Sequence, residues 1–504
     1  MAIHDAPCKT EGELVDGSKP DARPGGVVGV LALAGIVAAL MQTLVVPLIG
    51  DLPKLLDTSA SNASWVITAT LLAGAVATPV AGRLGDTLGK RRVLLASVVP
   101  LVAGSVVCAL ASSVVPMIVG RGLQGLGMGV VPLGISLLRD ILPPEKLGGS
   151  IALMSASMGV GGALGLPFSA AVAENASWRV LFWVAAGLSL LVGFLIWRVA
   201  PTGRRAAAPG RFDVAGALGL GVGLVALLLA VSKGATWGWG SGTTLGLFAV
   251  AVVVLLAWGA WELRIPDPLV DLRVTARPVV LMTNMASVLV GFAMYAQSLV
   301  VPQLFQLPEA TGYGLGQSMM AMGLWMAPAG LMMMVLAPLG AKLSAARGPK
   351  VTLSVGALVI AAGYGSSLAL MGTTWGLLVV TLICNTGVGL AYGAMPALIM
   401  GAVPQEETAS ANSFNTLMRS IGTSVSAAVI GVVLAQMTTT LGGHVLPSED
   451  GFRIAMLIGC GVGLAAALVA ALIPAGAATA GADDPAGTEP GATPRAATGV
   501  QAAA

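Results

Sequence analysis

Fourteen apolar stretches of about twenty residues, each bounded by charges or turn residues, constrain this 504-residue chain more than any other feature. A helix needs about 20 apolar residues to cross a hydrocarbon core, so they read as transmembrane helices over approximately 27–49, 64–81, 93–111, 114–138, 150–173, 180–197, 214–232, 242–261, 279–304, 317–340, 351–370, 374–400, 408–436 and 454–474. Strands of a membrane barrel would instead alternate over about ten residues. Only 10% of the residues are charged, against about 25% in a soluble domain. A water-soluble globule is excluded, and the expected fold is all-α integral membrane. The 68 glycines and 29 prolines suit membrane helices that pack closely and break at functional points.

With both termini assigned to the cytoplasm, every Lys and Arg except Lys54, Arg179, Lys233, Arg453, Arg121 and Arg419 falls in a tail or loop on that side. This is a strong positive-inside bias, and it implies a multi-pass protein of the cell inner (plasma) membrane. The first span is longer than a signal-peptide core, so it reads as a retained helix. The tail beyond about Ala475 lacks an apolar period and reads as disordered.

One internal repeat stands out. Pro79-Val-Ala-Gly-Arg83-Leu84-Gly-Asp86-Thr-Leu-Gly89-Lys-Arg91, between the second and third spans, aligns without a gap on Pro338-Leu-Gly-Ala-Lys342-Leu343-Ser-Ala345-Ala-Arg-Gly348-Pro-Lys350, between the tenth and eleventh. A displacement of eight spans fits two six-helix bundles as parallel repeats with two extra helices between them. The divisions that follow are a cytoplasmic tail at 1–26, an N-terminal bundle at 27–200, a linker with two helices at 201–277, a C-terminal bundle at 278–475 and a tail at 476–504. Parallel repeats of this kind hold substrate between the halves, near the midplane.

At these residues the chain resembles a known family. Gly82-Arg83-Leu84-Gly85-Asp86-Thr87-Leu88-Gly89-Lys90-Arg91-Arg92 is similar to the signature loop of the major facilitator superfamily, and Arg121-Gly-Leu-Gln124-Gly125-Leu-Gly127 resembles its fourth-helix motif. The stretch from Gly401 through Pro404, Glu406, Asn412, Asn415 and Arg419 to Gly422 is similar to the fourteen-helix drug:proton antiporter branch. The resemblance implies that Asp86, with Arg83, Lys90, Arg91 and Arg92 around it and Gly82, Gly85 and Gly89 allowing a tight turn, latches the cytoplasmic side. Positive-inside topology alone would explain the basic residues but not the Asp or the glycine spacing.

The resemblance also gives Arg121 and Asp86 parts in proton coupling, with an Arg snorkelling to the outer interface as the competing reading. Gln124 lies on the same helical face as Arg121. Arg419 reads as an anchor reaching the inner interface. In the fifth span, Gly161, Gly165 and Pro167 form a gate that departs from the family's pattern: Leu166 stands where Pro is expected, and Ser169 and Ala170 replace glycines. In the first span, Met41 takes the place of an acid that the branch often carries. No Asp or Glu lies at the centre of any span, so coupled protons would fall to acids near the edges: Asp86, Asp140, Glu174 and Glu309.

Substrate-binding candidates are the few polar or aromatic groups along an otherwise apolar wall: Gln42, Gln124, Asn284, Gln297, Gln303, Gln306 and Trp325. The methionines around Trp325 suit either adaptable binding or ordinary packing. Four Cys and two His without Cys-x-x-Cys, and a net charge of +3, give no reason to expect a metal, a cofactor or a nucleic-acid partner. No phosphate loop for an ATP-driven pump and no clustered catalytic residues for a membrane enzyme occur. What remains is a secondary exporter of amphipathic organic compounds, such as a drug, antibiotic or natural product, exchanged for protons by alternating access. Its partners would be the lipid bilayer, protons and a small amphipathic organic substrate, with the monomer as the working unit. An importer or uniporter of the same fold with a narrow substrate is the alternative.

Overall fold

The structure, a computed structural model, describes residues 24–45, 48, 52–201, 212–441 and 444–474. The expected disordered tail beyond Ala475 and most of the N-terminal tail lie outside the described residues. Among the described residues, fourteen helices are long and apolar enough to cross a membrane: α1 (Pro24–Thr43), α2 (Trp65–Leu88), α3 (Lys90–Leu110), α4 (Val114–Ile141), α5 (Pro144–Asn175), α6 (Arg179–Val199), α7 (Val214–Trp237), α8 (Gly242–Glu262), α9 (Pro278–Gln306), α10 (Met319–Arg347), α11 (Pro349–Leu370), α12 (Thr374–Ala402), α13 (Thr408–Gln436) and α14 (Glu449–Ala471). The chain belongs in a membrane as a multi-pass protein. An even number of crossings places the α2–α3, α4–α5, α6–α7, α8–α9, α10–α11 and α12–α13 connections on one face, called here the α2–α3 face.

Two hydrophobic cores organise the helices. One is built almost wholly from α1–α6 and the other from α9–α14. A third cluster, including Ala75, Leu220, Leu224, Trp258, Phe414 and Leu417, seats α7 and α8 against α2 and α13. Only 11% of the most apolar window of α8 is buried, so this helix turns nearly all of its surface to lipid, where an apolar exterior costs nothing. The architecture is two six-helix bundles with two additional helices at their side.

The internal repeat has a structural counterpart. Gly89 separates α2 from α3 with φ +97°, and Gly348, its aligned partner, separates α10 from α11 with φ +85°. A left-handed residue ends each helix and lets the next begin at once, which a β-carbon would oppose.

Several local features depart from the sequence expectations. The α4 span is broken by a 3-10 turn at Gly127–Gly129, where three glycines in five residues remove the side-chain packing that would hold an unbroken α-helix. α5 begins six residues earlier than expected, at Pro144, because Pro at the first helical turn is pre-set for helix. A two-stranded antiparallel ribbon pairs Thr438–Leu441 with His444–Pro447 between α13 and α14, so the fold is all-α in its spans only. The β-branched Thr438, Thr439 and Thr440 suit it.

Candidate functional site

On the α2–α3 face, polar contacts join the two halves. Asp86 lies in the last turn of α2 rather than in a loop, and its partners are not the basic residues beside it. The Ala409 and Ser410 backbone N–H groups donate to its carboxylate over 3.1 and 2.7 Å, and the Ser410 hydroxyl donates over 2.7 Å. These amides open α13, where the first N–H groups of a helix have no acceptor within it, so a carboxylate satisfies both the free donors and the positive end of the helix. Gly82 permits the approach: a β-carbon there would stand 2.7 Å from the Ala409 carbonyl oxygen and 2.6 Å from the Ser413 Cβ.

The basic residues of the signature disperse to separate partners. Lys90 pairs with Asp140 at 2.8 Å and donates to the Ser136 carbonyl. Arg91 donates to the Trp197 carbonyl, Arg83 sits 3.8 Å from Asp267 of the α8–α9 connection, and Arg92 is exposed. A second cross-half link, not anticipated from sequence as a contact, joins α4 to the α12–α13 corner: Arg139 donates to the Thr408 hydroxyl over 2.6 Å and to the Val403 carbonyl, while Gln405 reaches Asp140 at 3.4 Å. The adjacent Arg139-Asp140 pair at the end of a span was its only sequence signal.

Arg121 is 2% exposed and does not snorkel. Its guanidinium donates to the Met41 carbonyl over 2.8 Å, to the Val66 carbonyl over 3.3 Å and to the Gln124 side-chain oxygen over 2.7 Å. Gln124 in turn donates to the Ser105 hydroxyl. Arg121 therefore staples α1, α2 and α4, with Gln124 extending the link to α3, and the backbone of Met41 takes the guanidinium where the related branch often has an acid. Both polar ends of Gln124 are occupied inside this bundle, away from the seam between halves.

α5 divides its small residues between two neighbours. Gly161 and Gly165 face α1, since β-carbons there would meet Ala39 at 2.8 Å and Thr43 at 3.2 Å. Gly159 and Pro167 face α10 of the other half, against Met333 and Gly323. The displaced proline thus lies at the interface between halves.

At mid-height the halves enclose a small cavity of about 10 Å³, room for about one water. Val131, Ile135 and Met158, with the Ser155 hydroxyl among them, form a mostly apolar wall from the first half, and Tyr392, Asn412, Asn415, Thr416 and Arg419 a polar wall from the second. Arg419 departs from the sequence expectation of an interfacial anchor. It is 8% exposed, and its guanidinium carbon lies 4.4 Å from the centre of the Tyr392 ring. The eleven residues from the start of α13 set it about 16 Å into a helix of 29 residues, in the half nearer the α2–α3 face. Asn415 donates to the Asn284 oxygen over 2.8 Å and the Ser287 hydroxyl over 2.7 Å, fixing α13 to α9.

The remaining candidates scatter. Asn284 is buried and borders a different cavity, of about 140 Å³, on the α2–α3 face with Arg83, Asp267, Asp271 and Glu407. Gln297 is buried in the α9 packing, Gln303 donates to its own helix at Leu299, and Gln42 and Gln306 are exposed. Trp325 meets the Trp375 ring edge-on at 4.9 Å, near the helix ends opposite the α2–α3 face. No sequence-expected polar candidate lines the mid-height cavity; Tyr392, Asn412, Asn415 and Arg419 do.

Comparison with known proteins follows the same lines. The sequence profile of the Major Facilitator Superfamily matches residues 31–427. The Tetracenomycin C resistance and export protein of Streptomyces glaucescens is 30% identical over 486 residues, 93% of this chain and 84% of that protein. An uncharacterised MFS-type transporter of Mycobacterium tuberculosis is 29% identical over 426 residues, 83% of this chain, and the chain spans 60% of that relative's length. Among solved structures, the human organic anion transporter MFSD10 (TETRAN) superposes with a TM-score of 0.61 at 15% identity, covering 90% of this chain and 100% of the other.

Proposed function

This chain belongs to the Major Facilitator Superfamily, a family of membrane transporters, and from that premise we propose that it is a secondary exporter of amphipathic organic compounds working by alternating access in exchange for protons. The observation that carries the reading is the pair of cross-half links at one face, Asp86 to the α13 amides and Arg139 to Thr408 and Val403, lying beyond a closed cavity between the halves. Such contacts are breakable without unfolding either bundle, because each bundle has its own core. The α2–α3 face is the cytoplasmic one in this reading, which the positive-inside bias of the basic residues along it supports. Substrate enters the mid-height cavity from that side when the links open.

Asp86 and Asp140 are the carboxylates that accept hydrogen bonds across the seam among the described residues, so they are the groups through which protons act. Protonating Asp86 would remove its charge and an acceptor from two helix-end amides, loosening the closure. The competing reading is carriage without protons, favoured by Met41, whose backbone rather than a titrating side chain holds Arg121. The export by the Streptomyces relative supports the outward direction. Accumulation of fluorescent amphipathic dyes in cells expressing the chain tests it: less dye than in control cells, restored by a protonophore, is expected. Equal accumulation, or depletion indifferent to the protonophore, would overturn the exchange with protons.

A further inference from the structure

We propose that the mid-height cavity selects substrates by an anionic group, which Arg419 binds, while the apolar wall of the first half takes the organic body; this rests on that cavity being the substrate site. Four cations are buried among the described residues: Lys90, Arg121, Lys233 and Arg419. Lys90 has a carboxylate and a carbonyl, Arg121 two carbonyls and a glutamine oxygen, and Lys233 the Ser64 hydroxyl with the Trp65 ring beneath it. Arg419 alone among these four has no hydrogen-bond acceptor among the described residues; its guanidinium lies over the Tyr392 ring. A guanidinium presents five donors and matches a carboxylate in a bidentate fork. Buried within a membrane-spanning helix with one side against an aromatic ring, it is costly until an anion arrives.

The surroundings favour the same ligand. Glu262, on α8, is the single buried carboxylate among the described residues, and it does not line this cavity. No fixed negative charge there competes for Arg419 or attracts an organic cation. The Asn412 side-chain oxygen is buried without a partner, so a ligand hydroxyl near the anionic group would find an acceptor. Across the cavity Val131, Pro132, Ile135 and Met158 are apolar, and the Ser155 hydroxyl is the one polar side chain that the first half contributes to the lining. The ligand class is therefore an amphipathic organic acid, with a carboxylate, sulfonate or phenolate at one end of an apolar or aromatic body. At about 10 Å³ the cavity is closed here, and a bound molecule requires the wider state reached when the halves part.

A series that changes only charge tests this: 1-pyrenebutyrate, 1-pyrenebutanol and 4-(1-pyrenyl)butyltrimethylammonium, titrated into the purified full-length chain by fluorescence. The wild type is expected to bind the carboxylate at least about tenfold more tightly than the alcohol, about 1.4 kcal/mol, and the ammonium compound most weakly. Arg419→Gln should bring the carboxylate-to-alcohol ratio to about one, while Arg419→Lys keeps part of the preference. Because both probes titrate one preparation, a misfolded fraction leaves the ratio unchanged. No saturable carboxylate binding, no preference in the wild type, or an unaltered ratio in Arg419→Gln would overturn the proposal. The same probes in proteoliposomes with an imposed pH gradient separate the two claims. Charge-selective binding without gradient-driven flux leaves the anion site standing and overturns the exporter reading; gradient-driven flux of alcohol and ammonium with no preference for the carboxylate does the reverse.

Discussion

Asp86→Asn is the perturbation whose consequence follows most fully from the geometry. The carboxylate accepts from two backbone amides at the start of α13 and from the Ser410 hydroxyl. An amide side chain keeps one oxygen for the Ala409 N–H and turns its NH₂ toward the Ser410 N–H, two donors face to face, while the hydroxyl can rotate. One hydrogen bond to a charged acceptor is lost, about 1.5–3 kcal/mol. The attraction between the carboxylate and the helix N-terminus goes with it, up to about 1 kcal/mol. The closure should weaken by about 2–4 kcal/mol, a shift of roughly 30- to 700-fold in the balance between linked and parted halves. Hydrogen exchange reads this directly, because the Ala409 and Ser410 amides have no acceptor within their own helix. Exchange of the Ala409 and Ser410 amides should accelerate by that factor while 124–138 in α4 stays protected. Acceleration below about threefold, or equal acceleration in both segments, would refute the latch reasoning.

Other substitutions separate structure from switching. Gly82→Ala forces a β-carbon against Ser413 and the Ala409 carbonyl, an overpacking of about 1–3 kcal/mol; transport should fall while each bundle's thermal stability in detergent is little changed. Arg121→Leu strands the Gln124 oxygen and two carbonyls, and at about 1–3 kcal/mol for each unsatisfied group the melting temperature should drop markedly; an unchanged melt would show that the staple does not hold the bundle. Asp267→Asn weakens a 3.8 Å pair whose acid is 47% exposed, so transport should change by less than about fivefold at low salt, and the Arg83 share of that change should vanish in high salt.

The spans were legible because a hydrocarbon core imposes length and apolarity on every crossing, and neither depends on which helix packs against which. Gly89 and Gly348 were legible as a repeat for a related reason, a backbone angle that few other residues accept. Asp86 stood out in the sequence, yet its partner did not. Neighbouring Lys90 and Arg91 suggested charge pairs, whereas the acceptor sites went to amides more than 320 residues away in sequence. Arg419 was misplaced because its depth along α13 was weighed alone, although Asn412, Asn415 and Arg419 recur at the three- to four-residue spacing of one helix face. Gln42, Gln303 and Trp325 lie instead on α1, α9 and α10, whose nearly all-round apolar character carries no period to tell lipid from seam, and they fall away from the cavity.

Exchange of organic substrate for protons across the membrane is tested by the flux of 1-pyrenebutyrate from proteoliposomes of known orientation, with and without an imposed pH gradient. Export accelerated by the gradient, abolished by an ionophore and reduced in Asp86→Asn is the expected result. Flux of equal rate with and without the gradient would contradict it, and would make the absent acid at Met41 the governing fact of the mechanism.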